Sequence, residues 1–346
     1  MNFRVVSHTI GLILLVEMAF MLPSLAWCWV DGEGGVALAF AVSLALMGLA
    51  AAALLLAGRR AKGGFFAQEA FVTVGLCWVV MSLLGCLPFY LSGQIPRYVD
   101  ALFEVVSGFT TTGASILADP GQMSRGLLFW RSSTHWLGGM GILVFALAIV
   151  PAGRKSGAFY LMRAESPGPS VGKFTPRLGQ TSKILYAMYV FLTALCVLFL
   201  LGGGLPLFES LCTAFGTAGT GGFGVKADSM ASYTPYLQWV VTIFMALFGV
   251  NFSIYYLLLL RRFKLAAKDE ELHCYVLVLL AADASDGTAK RMGRSCEGLV
   301  PCRRMPLTQQ ALCAITYKKV GVYAVTDDNL AILCINSLEH EKEENA

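Results

Sequence analysis

Six long apolar runs, divided by shorter polar stretches, organise the chain: about 6–29, 36–58, 71–91, 127–150, 184–204 and 236–260. Each holds at least about twenty residues, which at ~1.5 Å of helical rise per residue suits the ~30 Å of hydrocarbon in a bilayer. The pattern therefore predicts six membrane-spanning helices. Arg4 before an apolar stretch that ends in small residues resembles a secretory signal. That apolar stretch is too long for a signal and no globular secreted domain follows it, so the first run is read as a span.

Two further apolar segments are too short to span: 101–109 (ALFEVVSGF), after the third run, and 208–215 (FESLCTAF), after the fifth. Eight or nine helical residues reach only ~13 Å. An interfacial amphipathic stretch is the plain explanation of either one. However, both lead directly into small, hydroxyl- and glycine-rich sequence, Thr110-Thr111-Thr112-Gly113-Ala114-Ser115 and Gly216-Thr217-Ala218-Gly219-Thr220-Gly221-Gly222-Phe223. A span, a half-length helix, a Thr/Gly run and a second span occur in that order twice, and a repeated unit is harder to reach by chance than either piece. The physics of such a unit is a re-entrant pore loop, because non-helical backbone at membrane depth survives only in protein or beside a watery cavity. Glycine lets successive carbonyls point inward, and a ring of such oxygens replaces the hydration shell of a dehydrating potassium ion. The short helices aim their negative C-terminal ends at the same place. Asp100, Glu104 and Glu209, near the outer ends of these helices, are expected to suit the dipole and attract cations.

Composition agrees with lipid as the solvent. Of 346 residues 56% are hydrophobic and 14% charged, against roughly 25% charged in a soluble domain. The net charge of +4 is too weak to suggest a nucleic-acid partner, and its distribution says more than its sum. Arg59, Arg60 and Lys62 follow the second run. Arg154, Lys155, Arg163, Lys173, Arg177 and Lys183 fill the stretch between the fourth and fifth, and Arg261, Arg262, Lys264 and Lys268 follow the sixth. The opposite loops carry Asp31, Glu33, Asp100, Glu104, Asp119, Glu209 and Asp228 against Arg97, Lys226 and a few others. The positive-inside rule then sets the N-terminus in the cytoplasm and turns the loops after runs one, three and five outward. Ten cysteines are scattered without a CxxC pair, and most of the first six sit in apolar runs as small hydrophobes.

The residues SGFTTTGAS from Ser107, preceded by FEVVSGF, resemble the first selectivity-filter loop of the TrkH/KtrB/HKT superfamily of potassium transporters. FGTAGTGGF from Phe215 resembles the second filter loop of its bacterial TrkH branch. HWLGGMGILVFALAIVP from His135 and RAESPGP from Arg163 agree with that branch in order and spacing, so that the likeness runs from residue 1 to about 282. It implies an all-α integral membrane fold of helix–pore-loop–helix repeats around one pore, after two extra N-terminal helices. On this chain residues 1–62 are the two extra helices and 63–155 the first repeat. Residues 156–270 are a cytoplasmic loop with the second repeat, and 271–346 an incomplete seventh helix with a polar tail. The resemblance further implies that potassium, the transported ion, is held by the carbonyls of Thr111 and Thr112 and of Thr220 and Gly221. Gly113 and Gly222 would be the filter glycines, although pairing Gly219 with Gly113 is a second register. It also implies a bacterial inner membrane location and a cytosolic nucleotide-binding regulator of the TrkA type.

The family pattern continues for two more repeats, whereas the apolar run LHCYVLVLLAA after Glu271 meets Asp283 and the sequence from Ser285 turns polar. A frameshifted or prematurely ended product is the expectation for this tail. Alternation in KKVGVYAVTDDNLAILCINSL would also suit a small strand-bearing domain, and the spacing of Cys296 and Cys302 is not that of a metal site. One pore needs four filter loops, so two chains closing one ring, a homodimer, or a non-conducting fragment are the two outcomes considered. Among polar residues in the spans, Arg131 and His135 share one helix face, to brace the filter or line its vestibule, or to snorkel to the interface. Glu17 is expected to pair with a polar group on a neighbouring helix, and Asn251 to line the pore or bond across helices. The cytoplasmic loop from Arg163 to Pro169 suits a docking partner or a lid. No HExxH, GxSxG or P-loop pattern points to an enzyme.

Overall fold

A computed structural model of the chain describes residues 2–59, 67–139, 141 and 178–281. Every regular element among them is a helix. The fourth run beyond Gly139, the basic stretch after it and the tail from residue 282 lie outside the described residues, apart from Gly141.

The first two runs form the long helices α1 (Phe3–Val30) and α2 (Gly34–Gly58). On α1 the buried positions Val6, Ile10, Leu14, Glu17, Met21, Ser24 and Cys28 recur every three or four residues, while Leu15, Leu22 and Trp29 on other faces are exposed. One stripe therefore packs on protein and the remainder is left for lipid. Small residues bring the pair close: a methyl group on Gly58 would strike the Arg4 carbonyl and the backbone of His8. Pro23 lies inside α1 without ending it, as membrane helices tolerate.

The third run is broken. Helix α3 (Ala67–Gly85) passes through a turn at Cys86 into the short α4 (Leu87–Leu91), where Pro88 falls in the first turn. Helices α5 (Tyr98–Phe109), α6 (Arg125–Gly139) and α7 (Leu178–Gly202) follow, and then α8 (Leu207–Ala218) and α9 (Pro235–Gly249). The sixth run also breaks: α10 (Phe252–Leu259) turns 85° from α9. Val250 at the break is extended, and the Asn251 Oδ1 accepts from the Ser253 N–H at 2.9 Å, which caps the new helix. Asn251 thus bonds locally, not only across helices as its position in a span suggested. Among the described residues four helices, counting α3 and α4 as one, are long and apolar enough to span a membrane by themselves, and the bent pair would make a fifth.

Residues up to 256 form one compact body; those from 257 form a second unit. The described part of the second unit holds α11 (Phe263–Ala266) and α12 (Glu270–Ala281), the latter capped by Asp269, whose Oδ1 accepts from the Leu272 N–H at 3.1 Å.

Glu17 is fully buried and points at Gly85, whose missing side chain leaves room for its Oε1. Neither carboxyl oxygen has a hydrogen-bond partner among the described residues. This differs from the pairing expected for a charge in a span: α3 meets it with backbone and α5 with the side chains of Val105 and Phe109. An unsatisfied buried polar group costs roughly 1–3 kcal/mol. Glu17→Met is therefore expected to raise thermal stability in detergent, a gain of about 1–3 kcal/mol read from the melting temperature.

Candidate functional site: two facing re-entrant loops

The short apolar segments are α5 and α8, each 12 residues long, or about 18 Å. Both are longer than the apolar pattern alone predicts. Helix α8 runs on through Gly216, Thr217 and Ala218, since the Thr217 hydroxyl donates to the Thr213 carbonyl and the Gly219 N–H still bonds to Phe215. Each helix is amphipathic, with its buried face against the protein and its C-terminal end at a Thr/Gly loop.

The two loops share a backbone conformation. After α5, the N–H groups of Thr110 and Thr111 bond to the carbonyls of Val106 and Gly108; after α8, those of Gly219 and Thr220 bond to Phe215 and Thr217. Thr111 has φ 54° and Thr220 φ 55°, and two residues later Gly113 has φ 74° and Gly222 φ 77°. The matching conformation pairs Thr111 with Thr220, Thr112 with Gly221 and Gly113 with Gly222. Gly219, at φ −74°, caps the helix instead. A left-handed β-branched residue stores roughly 1–3 kcal/mol and persists only where its surroundings hold it there. Here the Thr112 N–H bonds to the Ser107 carbonyl, and the Ser107 hydroxyl donates to the Ala114 carbonyl at 2.5 Å.

Of these six residues, Thr111, Gly113 and Gly221 meet across the two loops. The Gly221 carbonyl oxygen lies directly against Gly113, and the Thr111 carbonyl against Gly221. Thr112, Thr220 and Gly222 are exposed and Thr111, Gly113 and Gly221 partly so, whereas the helices behind them are largely buried. The two loops thus touch through backbone, each at the negative end of its helix.

Helix α6 carries the support for both loops. The Arg131 side chain is 3% exposed; its Nε donates to the Glu104 Oε1 at 2.6 Å and its Nη1 to the Gly224 carbonyl at 3.0 Å. Its guanidinium lies 3.6 Å from the centre of the Phe223 ring. Glu104 also accepts from the Ser115 hydroxyl at 2.8 Å and the Ile116 N–H at 3.1 Å. Arg131 therefore spans from the first loop to the second and does not snorkel. Glu104 is correspondingly not an outer cation trap but a buried strut. Of the other acidic residues, Asp100 pairs with Arg97 at 3.7 Å and Glu209 accepts from the Tyr233 hydroxyl at 3.1 Å. Burial first, and the Glu209 carboxylate second, push the Tyr233 phenol above its usual range, so it remains a donor.

The next turns of α6 touch the loops through small or buried residues. Thr134 lies against Gly108, and Gly138 against the Phe109 carbonyl. Gly139 packs on Gly219, and the Tyr189 hydroxyl donates to the Trp136 carbonyl at 2.9 Å. The stretch HWLGG is thus a packing surface between two pore helices. Sequence assigned Glu104 a cation-attracting role instead of a bracing one, and Ser107, Phe223 and Gly224 no role of their own. Opposite charges in neighbouring apolar segments, Glu104 and Arg131, were the available signal.

These features define a helical membrane protein with two re-entrant loops that face one another. The family model for TrkH, cation transport protein, matches residues 38–276, and the chain belongs to that family. It is 36% identical over 288 residues to the Trk system potassium uptake protein TrkH of Salmonella typhimurium, a match over 81% of this chain and 58% of that protein. It is 33% identical to the Trk system potassium uptake protein TrkG of Escherichia coli, over 62% of this chain and 44% of that one. The crystal structure of the potassium transporter TrkH from Vibrio parahaemolyticus superposes with a TM-score of 0.63 at 27% identity, over 74% of this chain and 52% of that chain. The chain thus spans about half the length of these relatives, between 44% and 58%.

Removing one partner of a buried ion pair strands the other. Arg131→Ala is expected to cost roughly 3–5 kcal/mol. The double variant Arg131→Ala/Glu104→Ala should lose less than the sum of its parts, as a thermal-unfolding double-mutant cycle in detergent would read.

Proposed function

We propose that this chain forms half of a potassium-selective pore and supplies two of its filter loops. Potassium is the cargo, not a resident cofactor. The carbonyls of Thr111 and Thr112 in the first loop and of Thr220 and Gly221 in the second replace its hydration shell, and Gly113 and Gly222 are the filter glycines. The observation that carries this proposal is the facing pair of loops, with matched positive-φ positions and backbone contact between Gly113 and Gly221 and between Gly221 and Thr111. Membership of a cation transport family and relatives named for potassium uptake support the choice of ion. The chain spans 58% of such a relative, and a second copy completes the ring with its own two loops. The chain lies in a bacterial inner membrane with its N-terminus in the cytoplasm, in keeping with the basic residues between runs and with the bacterial relatives. A cytosolic nucleotide-binding protein of the TrkA type regulates it.

Expression in a host that lacks potassium uptake tests this directly. Growth at low potassium should be restored, and Gly113→Ser should abolish it, because a side chain there meets both a left-handed φ of 74° and the Gly221 carbonyl. Failure of the unmodified chain to restore growth, despite its presence in the membrane, would favour a non-conducting fragment. The mass of the detergent-solubilised protein should correspond to two chains.

A further inference from the structure

The second loop has glycines for two different reasons. Gly222 is left-handed, which glycine alone adopts without strain. Gly219 has an ordinary helical φ of −74°, and Gly221 has no positive φ. These two positions have no room for a side chain: the His135 imidazole fills most of the space, with the His135 carbonyl beside it at Gly219 and the Thr111 carbonyl at Gly221. A methyl group on Gly221 would collide with the His135 Nε2, and one on Gly219 with the His135 Cδ2. In the first loop the equivalent positions are Thr110 and Thr112, both exposed, with hydroxyls 2.8 Å apart. The two loops therefore share a backbone but differ at these two positions: the first presents hydroxyls, and the second bare backbone backed by a histidine.

His135 is fully buried, and neither ring nitrogen has a hydrogen-bond partner among the described residues. Such orphaned polar atoms are rare in folded proteins. The ring is held by shape instead. It packs edge-on against Phe223 with centroids 4.5 Å apart, and Phe223 in turn lies beneath Arg131. The imidazole is thus a wedge between α6 and the second loop, pressing from behind on the residue that faces the Thr111 carbonyl.

We propose that His135 is a positioning residue that sets the separation of Gly221 from Thr111, and thereby the size of cation the filter accepts. The selectivity part rests on the potassium-conducting role proposed above. Without the ring, Gly219 and Gly221 relax toward α6 and the carbonyls no longer hold their spacing, so that a smaller ion is less strongly rejected.

The test uses the full chain in lipid vesicles, with His135→Ala, Gly219→Ala and the pair of changes together. Each is read by the ratio of potassium to sodium flux and by melting temperature in detergent. His135→Ala should lower the potassium preference, and Gly219→Ala should perturb the loop by collision with the ring. The double variant should recover relative to the sum of the two, by roughly tenfold, within the coupling range of residues in direct contact. His135→Gln, which retains bulk and polarity, should keep more of the preference than His135→Ala. A folded His135→Ala chain with unchanged preference would overturn the proposal, as would strictly additive variants. If the unmodified chain carries no cation, the pore role fails, and the melting temperatures alone decide the wedge. Non-additivity between positions 135 and 219 would support it and additivity would overturn it.

Discussion

Two re-entrant loops from different repeats can share a site only if something fixed lies between them, and here that is the buried guanidinium of Arg131. It is bonded to the Glu104 carboxylate on the first pore helix and to the Gly224 carbonyl just past the second loop, and it covers the Phe223 ring. In hydrocarbon a lone charge at this depth would be prohibitive, and an unpaired loop carbonyl nearly so. Each is supplied with its partner by the other. Glu104 completes the arrangement by receiving the Ser115 hydroxyl and the Ile116 N–H, so one ion pair both neutralises itself and ties down the outgoing strand of the first loop.

Around that point, α6 works as a backbone-to-backbone spacer. Membrane helices gain little from hydrophobic burial against one another and rely on close packing and internal hydrogen bonds. Gly138 and Gly139 let α6 approach the ends of both pore helices, at the Phe109 carbonyl and at Gly219. Trp130 and Trp136 fix its roll, the first donating to the Gly85 carbonyl at 2.8 Å and the second to the Thr193 hydroxyl at 3.0 Å. The strained Thr111 and Thr220 are tolerated because the loops they belong to are held from behind by this helix. On the side away from this helix Thr112, Thr220 and Gly222 are exposed.

The outer edge is tied in the same economical way. Arg125 at the start of α6 pairs with Asp31 at 2.9 Å and stacks between Trp27 and Phe208, each ring centre 4.7 Å away. The end of α1 is thereby joined to the start of the second pore helix, where Trp27 and Phe208 meet edge to face with centroids 5.1 Å apart.

The order and number of the apolar runs, the two half-length helices and the Thr/Gly loops were all legible in the sequence, because each is a local matter of length, periodicity and glycine chemistry. Thr111, Gly113, Thr220 and Gly222 were named through the family resemblance of the two loops, with Gly219 as a second register. The partners of the charged residues were not legible. Glu104 looked like an exposed acid at the mouth of a pore, and Glu17 like half of a helix-to-helix pair. The first proved to be a buried strut and the second a carboxyl facing glycine, since which side of a 12-residue helix meets protein depends on neighbours dozens of residues away. The breaks at Cys86 and Val250 were likewise hidden inside continuous apolar runs, where hydropathy does not change although direction does. Even the glycines of the second loop divide along this line. Gly222 answers to its own φ, a local demand, whereas Gly219 and Gly221 answer to the ring of His135, which only the packing of α6 brings to them.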